Sequence, residues 1–284
     1  MAITMIKIVT DSAADITPAQ AKSLGITVLP LRIHFGDTVY YQEEDETFVH
    51  FYELLEASQE LPHTSQASPT DYLALFEQAK QDGDSIVLLT LSSGLSGTIQ
   101  SAGIAKEMVD YDEIYIVDSR QAVVGQRLLT EYAVKLRDEG KSAKEIAAMV
   151  EEARGRVVLA GAVDTLKYLH KGGRVSKSVE LVGSVLGVKP IIFIDEAGAL
   201  KMVDKARGFM GCANALFKIV EKYGAPDPYM PVYFGHTNCP ESCERFRKAA
   251  VDKYGFADTV MSPVGGIVGT HLGPGTFIIA YLKK

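Results

Sequence analysis

The chain has 284 residues, of which 47% are hydrophobic and 23% are charged, a composition typical of a folded globular protein rather than a disordered one. Its formal net charge of −7 argues against a general nucleic-acid surface, which needs a basic stripe. No apolar run approaches the roughly 20 residues of a membrane-spanning helix. Three cysteines, an odd number in a long chain, favour a reducing compartment, so we expect a cytoplasmic protein without stable membrane insertion.

The first half of the chain alternates predicted strands and helices. Thr17, Pro18 and Gln20 are typical of a helix start with an N-cap, a first-turn proline and a capping box, and Gly25 ends that helix. The other predicted strands and helices of this half are residues 5–10, 26–35, 38–41, 48–57, 68–80, 86–91, 113–118, 121–139 and 142–154. Their alternation predicts a mostly parallel sheet between two helical layers, an α/β domain over residues 1–155.

The second half has a different pattern, with more antiparallel pairing expected. A turn at residues 196–198 predicts a hairpin, and two glycine-interrupted strands are expected after residue 254. The other predicted strands and helices are residues 157–163, 166–170, 179–186, 191–195, 200–205, 209–223, 232–236 and 240–254. These segments predict a second α/β domain with a mixed sheet over residues 156–284.

The segment 88–102 joins the end of a buried strand to a Ser/Gly turn and then to the start of a helix. Its hydroxyl-bearing residues in the turn are Ser92, Ser93, Ser96 and Thr98. Ligands bind beyond the carboxyl ends of strands in parallel sheets, and the first amides of a helix have no intrahelical partner. The segment therefore predicts a pocket for a carboxylate or phosphate group.

Other segments are candidates to complete this pocket. Thr64 lies in a loop before a predicted helix, where its hydroxyl would reach an anion held near Ser96, although a solvated turn also explains the loop. Thr270 and His271 lie in the segment 265–275, whose five glycines let the backbone approach a ligand closely. The basic residues of the second half are Lys171, Arg174, Lys189, Lys205 and Arg207. The first three, flanked by glycines or proline, suit an anionic partner or phosphate group, although exposed charges also occur simply in contact with solvent.

Three other chemistries are weighed against this anion site. Ser96 with His271 and Asp118 would make a nucleophilic triad, but a threonine stands where the nucleophile-elbow motif requires its second glycine. Cys239 and Cys243 are four residues apart without an evident set of zinc ligands, so buried thiols are the favoured interpretation. The fingerprints of dinucleotide-binding and Walker A loops are absent.

Taken together, these segments resemble the DegV family over essentially the whole chain. The resemblance rests on the order and spacing of Thr10-Asp-Ser12, Thr64-Ser-Gln66, Ser92-Ser-Gly-Leu-Ser-Gly-Thr98, Gln100-Ser101, Asp118-Ser119, Lys171-Gly-Gly-Arg174 and Gly269-Thr-His-Leu-Gly-Pro-Gly275. One departure is Ala67, where the family commonly has proline after Thr-Ser-Gln. The resemblance implies a two-domain α/β fold with a long-chain fatty acid such as palmitate held between the domains.

The resemblance also implies roles for individual residues. Thr64 and Ser96 match the hydroxyls that bind the fatty-acid carboxylate, with His271 nearby. Residues with weaker claims to the pocket or to a partner contact are Ser65, Ser93, Gly97, Arg174, Arg207 and Thr270. The resemblance implies no catalytic residue, metal or cofactor in this chain.

By the same resemblance, the protein presents its fatty acid to a separate ATP-dependent fatty acid kinase, which forms the acyl phosphate used in phospholipid synthesis. The alternative from another class is an acyl-ester hydrolase that uses Ser96 as its nucleophile. A DNA-binding regulator is disfavoured by the acidic pI of about 5.4 and by the lack of a basic helix-turn-helix.

Overall fold

The computed structural model describes residues 5–41, 47–175 and 187–284, which form three sheets with helices packed around them. The strands are β1 Ile6–Asp11, β2 Ile26–Leu29, β3 Arg32–Phe35, β4 Thr38–Tyr40, β5 His63–Ser65, β6 Ser85–Thr90, β7 Ile114–Asp118, β8 Val157–Ala162, β9 Val188–Ile194, β10 Leu200–Arg207, β11 Val232–His236, β12 Thr259–Pro263 and β13 Phe277–Leu282. The helices are α1 Pro18–Leu24, α2 Thr47–Ala57, α3 Pro69–Asp82, α4 Thr98–Val109, α5 Val123–Asp138, α6 Ala143–Arg154, α7 Lys167–Lys171, α8 Gly208–Tyr223, α9 Pro240–Tyr254 and α10 Gly266–Leu272.

The first half contains a four-stranded sheet in the order β2-β1-β6-β7, and all its pairings are parallel. Strand β6 is buried along its whole length because helices cover it. The predicted capping box holds at α1, where the Thr17 hydroxyl accepts a hydrogen bond from the amide of Gln20, and Gly25 ends the helix in a left-handed conformation. The parallel α/β architecture predicted for this half is confirmed.

The second half contains a six-stranded sheet in the order β10-β9-β8-β13-β11-β12. Among the described strands of this sheet, β11 and β12 pair in parallel and the other neighbours pair antiparallel, so the predicted mixed sheet is confirmed. Helices α8 and α9 pack against the side chains on one face of this six-stranded sheet and form a separate core with them. Side chains from the other face, including Leu159 and Ile192, join the main core of the first half, where α5 also contacts both sheets.

Two segments of the first half differ from the prediction. Residues 26–35 form two strands rather than one, because Pro30 interrupts the ladder between β2, in the parallel sheet, and β3, in a separate antiparallel sheet of order β4-β3-β5. Residues 61–67 were expected to be a loop, but His63–Ser65 pair with β3 as its third strand. Thr64 therefore lies on a strand with a fixed register opposite Ile33.

The two strands expected after residue 254 are present as β12 and β13, and between them residues 266–272 of the glycine-rich segment form α10, a helix that the sequence does not predict. A Cβ at Gly266 would lie 2.5 Å from Phe51, and one at Gly269 would lie 2.7 Å from the Tyr52 hydroxyl. Close contact with α2 therefore requires glycine at these positions and stabilises a helix that glycine itself disfavours.

The predicted boundary near residue 155 lies between β7 and β8, where the chain passes from the parallel to the mixed sheet. Helix α10 nevertheless returns to contact α2, β3 and β5 of the first half. The assignment of two domains over residues 1–155 and 156–284 stays a prediction. The helix expected over residues 179–186 lies outside the described residues. Within the described ranges, no helix is long and apolar enough to cross a bilayer.

Candidate functional site

A cavity of about 340 Å³, here called the central cavity, lies between the parallel sheet and the mixed sheet. Leu31, Leu91 and Ala122 reach it from the carboxyl ends of parallel strands, and Leu159 and Ile278 reach it from the mixed sheet. Fourteen of its twenty lining residues are apolar, and the polar ones are Thr64, Ser65, Gln66, Ser96, Arg174 and His271. Its volume lies within the range of small-molecule sites, and its lining suits a mostly apolar ligand with one polar group.

The sequence folds around Ser96 in a way that leaves its hydroxyl at the cavity wall. Strand β6 ends at Thr90, and the buried carboxylate of Asp11 accepts a hydrogen bond from the amide of Leu91 at 2.7 Å. The turn that follows is closed by a bond from the Ser96 amide to the carbonyl of Ser92 at 3.1 Å. The Ser96 Oγ lies 2.8 Å from the Oγ1 of Thr98, the first residue of α4.

The residue Gln66 links this turn to the strand that carries Thr64. Its side-chain amide donates a hydrogen bond to Ser101 of α4 at 2.8 Å, and a Cβ at Gly97 would lie 2.4 Å from its Oε1. Gly97 therefore keeps the close approach open. Gln66 also lines the central cavity, a position that the sequence does not predict, and its place in the Thr-Ser-Gln motif is the signal that could have identified it.

The side chains of His271 and Thr64 are in contact at the cavity wall, although the two residues are 207 positions apart in the sequence. The Nε2 of His271 lies 2.9 Å from the Oγ1 of Thr64, while its buried Nδ1 has no hydrogen-bond partner within the described residues. A Cβ at Gly172 would lie only 2.2 Å from that Nδ1, so glycine is needed beside the ring. Burial, together with the nearby charge of Arg174, lowers the pKa of His271 to about 4, and the imidazole is neutral near pH 7.

Arg174 brings a positive charge to the same end of the cavity. Its Nε donates to the carbonyl of Leu95 at 3.2 Å and its Nη1 donates to the carbonyl of Gly172 at 2.7 Å. Burial lowers the pKa of Arg174 from its ordinary value, and no carboxylate in the described ranges forms an ion pair with it. A partly buried guanidinium with no ion-pair partner among the described residues favours the approach of an anion.

Thr64, Arg174 and His271 also line a smaller cavity of about 180 Å³, here called the outer cavity. Thr270 and the exposed Lys171 also line it. The lining contains no acidic residue among the described ones. The polar end of the central cavity is therefore flanked by a basic opening.

The remaining predicted residues lie in different places. Ser65 lines the central cavity, and its Oγ lies 2.9 Å from the Nε2 of His34. Ser93 is exposed and donates a hydrogen bond to Asp118, so it does not line the cavity. Gly97 is the N-cap of α4, and Arg207 lies exposed at the end of β10. Their roles stay predictions.

The triad considered for hydrolysis is not assembled in this structure. Asp118 accepts hydrogen bonds from Ser93 and Arg120, whereas Ser96 contacts Thr98 and His271 contacts Thr64. The zinc alternative also lacks support, because no group of three candidate metal-ligating side chains comes together within residues that the structure describes.

The fold and cavity define the class of this protein, which is a two-part α/β protein with a ligand-sized apolar cavity between its parts. The family model described as "Uncharacterised protein, DegV family" matches residues 5–284. The chain is 34% identical over 282 residues to the DegV domain-containing protein CPE0026 of Clostridium perfringens, covering 97% of this chain and 96% of that one. The chain therefore belongs to the DegV family.

Solved structures of the same fold extend the comparison. A DegV lipid-binding protein from Thermotoga maritima superposes with a TM-score of 0.89 at 27% identity, covering 98% of this chain and 99% of that chain. The fatty acid kinase (Fak) B3 protein of Streptococcus pneumoniae, loaded with linoleic acid, has a TM-score of 0.86 at 25% identity, covering 99% and 100%.

Proposed function

We propose that this protein binds a long-chain fatty acid in its central cavity, with the carboxylate at Thr64, Ser96, His271 and Arg174. The observation that carries the proposal is an apolar cavity whose polar residues include three hydroxyls and an arginine without a described counter-ion. The lipid-binding and linoleate-loaded relatives support the same ligand class.

The energetics of such a ligand divide between its two ends. Burying one methylene is worth about 0.8 kcal/mol, so roughly fifteen of them would contribute about 12 kcal/mol before ordering costs. A carboxylate loses several kcal/mol on leaving water unless hydrogen bonds and an opposite charge replace its hydration. The acyl chain therefore supplies affinity, while Arg174 and the hydroxyls fix the direction in which the fatty acid lies.

The second part of the proposal is that the protein presents this carboxylate to a separate ATP-dependent kinase for acyl phosphate formation and phospholipid synthesis, rather than transforming it. Supporting this, the carboxylate end adjoins the outer cavity with exposed Lys171, through which another protein would reach it. The S. pneumoniae relative is described as a fatty acid kinase protein. Arg207 is the candidate for contact with the kinase because it is exposed near the end of β10.

The first experiment identifies the ligand. Protein purified from cells is denatured and extracted with solvent, and the extract is examined by lipid mass spectrometry. We expect a long-chain fatty acid in near-stoichiometric amount. The proposal fails if no acyl chain is found and delipidated protein also ignores added palmitate and oleate.

The second experiment tests the carboxylate site. Thr64→Ala and Ser96→Ala each remove one hydroxyl, and we expect each to weaken palmitate binding about three- to tenfold, the value of one hydrogen bond. Ser93→Ala is the matched control, because Ser93 lies in the same turn as Ser96 but outside the cavity. Unchanged affinity in the Thr64/Ser96 double variant would refute the placement of the carboxylate.

A further inference from the structure

A third cavity of about 450 Å³, here called the far cavity, lies where β9 ends and β8 begins. It is more polar than the central cavity, and the charged residues that line it are Arg120, Arg154, Asp195, Glu196 and Lys283. Gln121 also lines it, with a buried Oε1 that has no hydrogen-bond partner within the described residues. Its lining also has an apolar part, formed by Val157, Val158, Phe193 and Ile194.

Ile194 stands between the far cavity and the central cavity. It lines both of them, and within the described residues no other side chain does so. Its neighbours also divide between the two spaces, since Ala122 and Leu159 line the central cavity while Gln121 and Val158 line the far one. Ile194 is only 3% exposed, so its side chain fills the space at this border.

The polar residues and Ile194 lie toward opposite sides of the molecule. Thr64 is on β5, which pairs with β3. Strand β3 directly follows β2 in the chain, and β2 forms one edge of the parallel sheet. Ala122 and Gln121 follow β7, which is the opposite edge of that sheet. A fatty acid with its carboxylate near Thr64 would direct its methyl end toward Ile194.

We infer that Ile194 is the specificity-determining residue that limits the length of the bound acyl chain, by closing the central cavity against the far cavity. The inference rests on the proposed fatty-acid binding and adds the residue that sets its upper limit. Without the Ile194 side chain, the methyl end of a longer chain would extend into the far cavity. With it, longer chains have no apolar space to enter.

The test compares Ile194→Ala with Ile192→Ala in delipidated protein. Ile192 precedes Ile194 by two residues on the same strand, is 2% exposed, and lines the central cavity but not the far one. Both substitutions remove the same atoms, but only Ile194→Ala joins the two spaces. Saturated fatty acids of 12 to about 22 carbons compete against a fluorescent fatty acid, and the longest chain that still gains affinity is recorded for each protein.

We expect Ile194→Ala to shift this limit by two or more carbons, with about fourfold tighter binding for each additional methylene that becomes buried. Ile192→Ala enlarges the central cavity by the same side-chain volume without joining it to the far cavity, so its limit should be shorter than that of Ile194→Ala. Ile194→Phe, a substitution that fills rather than opens the border, should leave or shorten the limit and cannot lengthen it. Circular dichroism confirms that each variant is folded.

Two results would overturn the inference while leaving fatty-acid binding intact. One is a length limit in Ile194→Ala that is no longer than the limit in Ile192→Ala, and the other is a longer limit in Ile194→Phe. By contrast, wild-type protein that binds none of the acids would refute the proposed function itself.

Discussion

The imidazole of His271 stays neutral near pH 7 because it is buried beside Arg174, which lowers its pKa to about 4. As the pH falls below 6.5, His271 becomes protonated in the unfolded chain but stays neutral in the folded protein until about pH 4. The free energy of unfolding therefore decreases between pH 6.5 and 4. This contribution to stability is fully present above pH 6.5. We expect wild type to lose about 2 to 3 kcal/mol more than His271→Gln between pH 7 and pH 4.5.

Urea unfolding at both pH values measures this difference. His50→Gln is the control, because the His50 side chain is 55% exposed and lies outside the cavity. Equal losses of stability in wild type and His271→Gln would contradict the prediction.

A substitution at Gly172 tests the position of the His271 imidazole, because Gly172 contacts the ring at Nδ1. Its φ of −73° suits alanine, yet the added Cβ would lie 2.2 Å from the Nδ1 of His271, so the ring must move away from Thr64. We expect Gly172→Ala to weaken fatty-acid binding about three- to tenfold through the lost hydrogen bond. Isothermal titration calorimetry measures this, with Gly103→Ala as control, since nothing lies within 4 Å of a Cβ there. Similar affinities in the two variants would count against the role of His271.

At the scale of elements, the turn between β9 and β10 is hydrogen-bonded to the first half of the chain beside the far cavity. The hydroxyl of Ser92 donates a buried hydrogen bond to the carbonyl of Gly198 at 2.8 Å, and the Nη1 of Arg120 donates to the carbonyl of Glu196 at 3.2 Å. Gly198 has a φ of +76°, and a Cβ there would lie 2.1 Å from the Ser92 hydroxyl. Both the backbone conformation and the contact require glycine.

Gly36 offers a comparison position that has the left-handed backbone conformation but not the close contact. It has a φ of +57° in the β3–β4 hairpin, but a Cβ there would meet nothing within 4 Å. We expect Gly36→Ala to cost about 1 to 2 kcal/mol for the left-handed backbone alone. Gly198→Ala should cost about 1 to 3 kcal/mol more, because the side chain also pushes the hairpin from the first half. Urea unfolding measures both, and equal losses would mean that the contact with Ser92 contributes nothing.

The sequence predicts elements well where local chemistry decides them. The capping boxes at Thr17 and Ser142 predict α1 and α6, because capping depends on residues within one turn. Strand β5 and helix α10 were missed because their partners are distant in the chain. Three residues around Thr64 become a strand only by pairing with β3, and the glycines of α10 become a helix only against Phe51 and Tyr52.

For the whole molecule, the same distinction applies to the site. The position of Ser96 after a parallel strand predicts an anion pocket from the sequence, whereas its grouping with Thr64 and His271 rests on the resemblance to the DegV family. All three line one cavity. The apolar lining was not predictable, since Leu31 and Ile278 lie 247 residues apart and have no pattern that distinguishes them from core. The border at Ile194 depends on how the two sheets pack.

Because residues from both halves line the cavity, a ligand that binds there stabilises the folded chain as a whole. At a concentration one hundred times its Kd, palmitate should add about 2.7 kcal/mol to the free energy of unfolding, which raises Tm by about 4 to 5 °C in a chain of this size. Hexadecanol has the same tail but no charge, so the rise in Tm that it causes should be smaller by the contribution of the carboxylate.

Differential scanning fluorimetry of wild type and Arg174→Gln, each with palmitate and with hexadecanol, separates the contributions of the carboxylate and the tail. We expect the advantage of palmitate to disappear in Arg174→Gln while the shift with hexadecanol persists, because the guanidinium acts on the head and the apolar lining on the tail. Equal shifts for acid and alcohol in wild type would show that Arg174 does not bind the carboxylate.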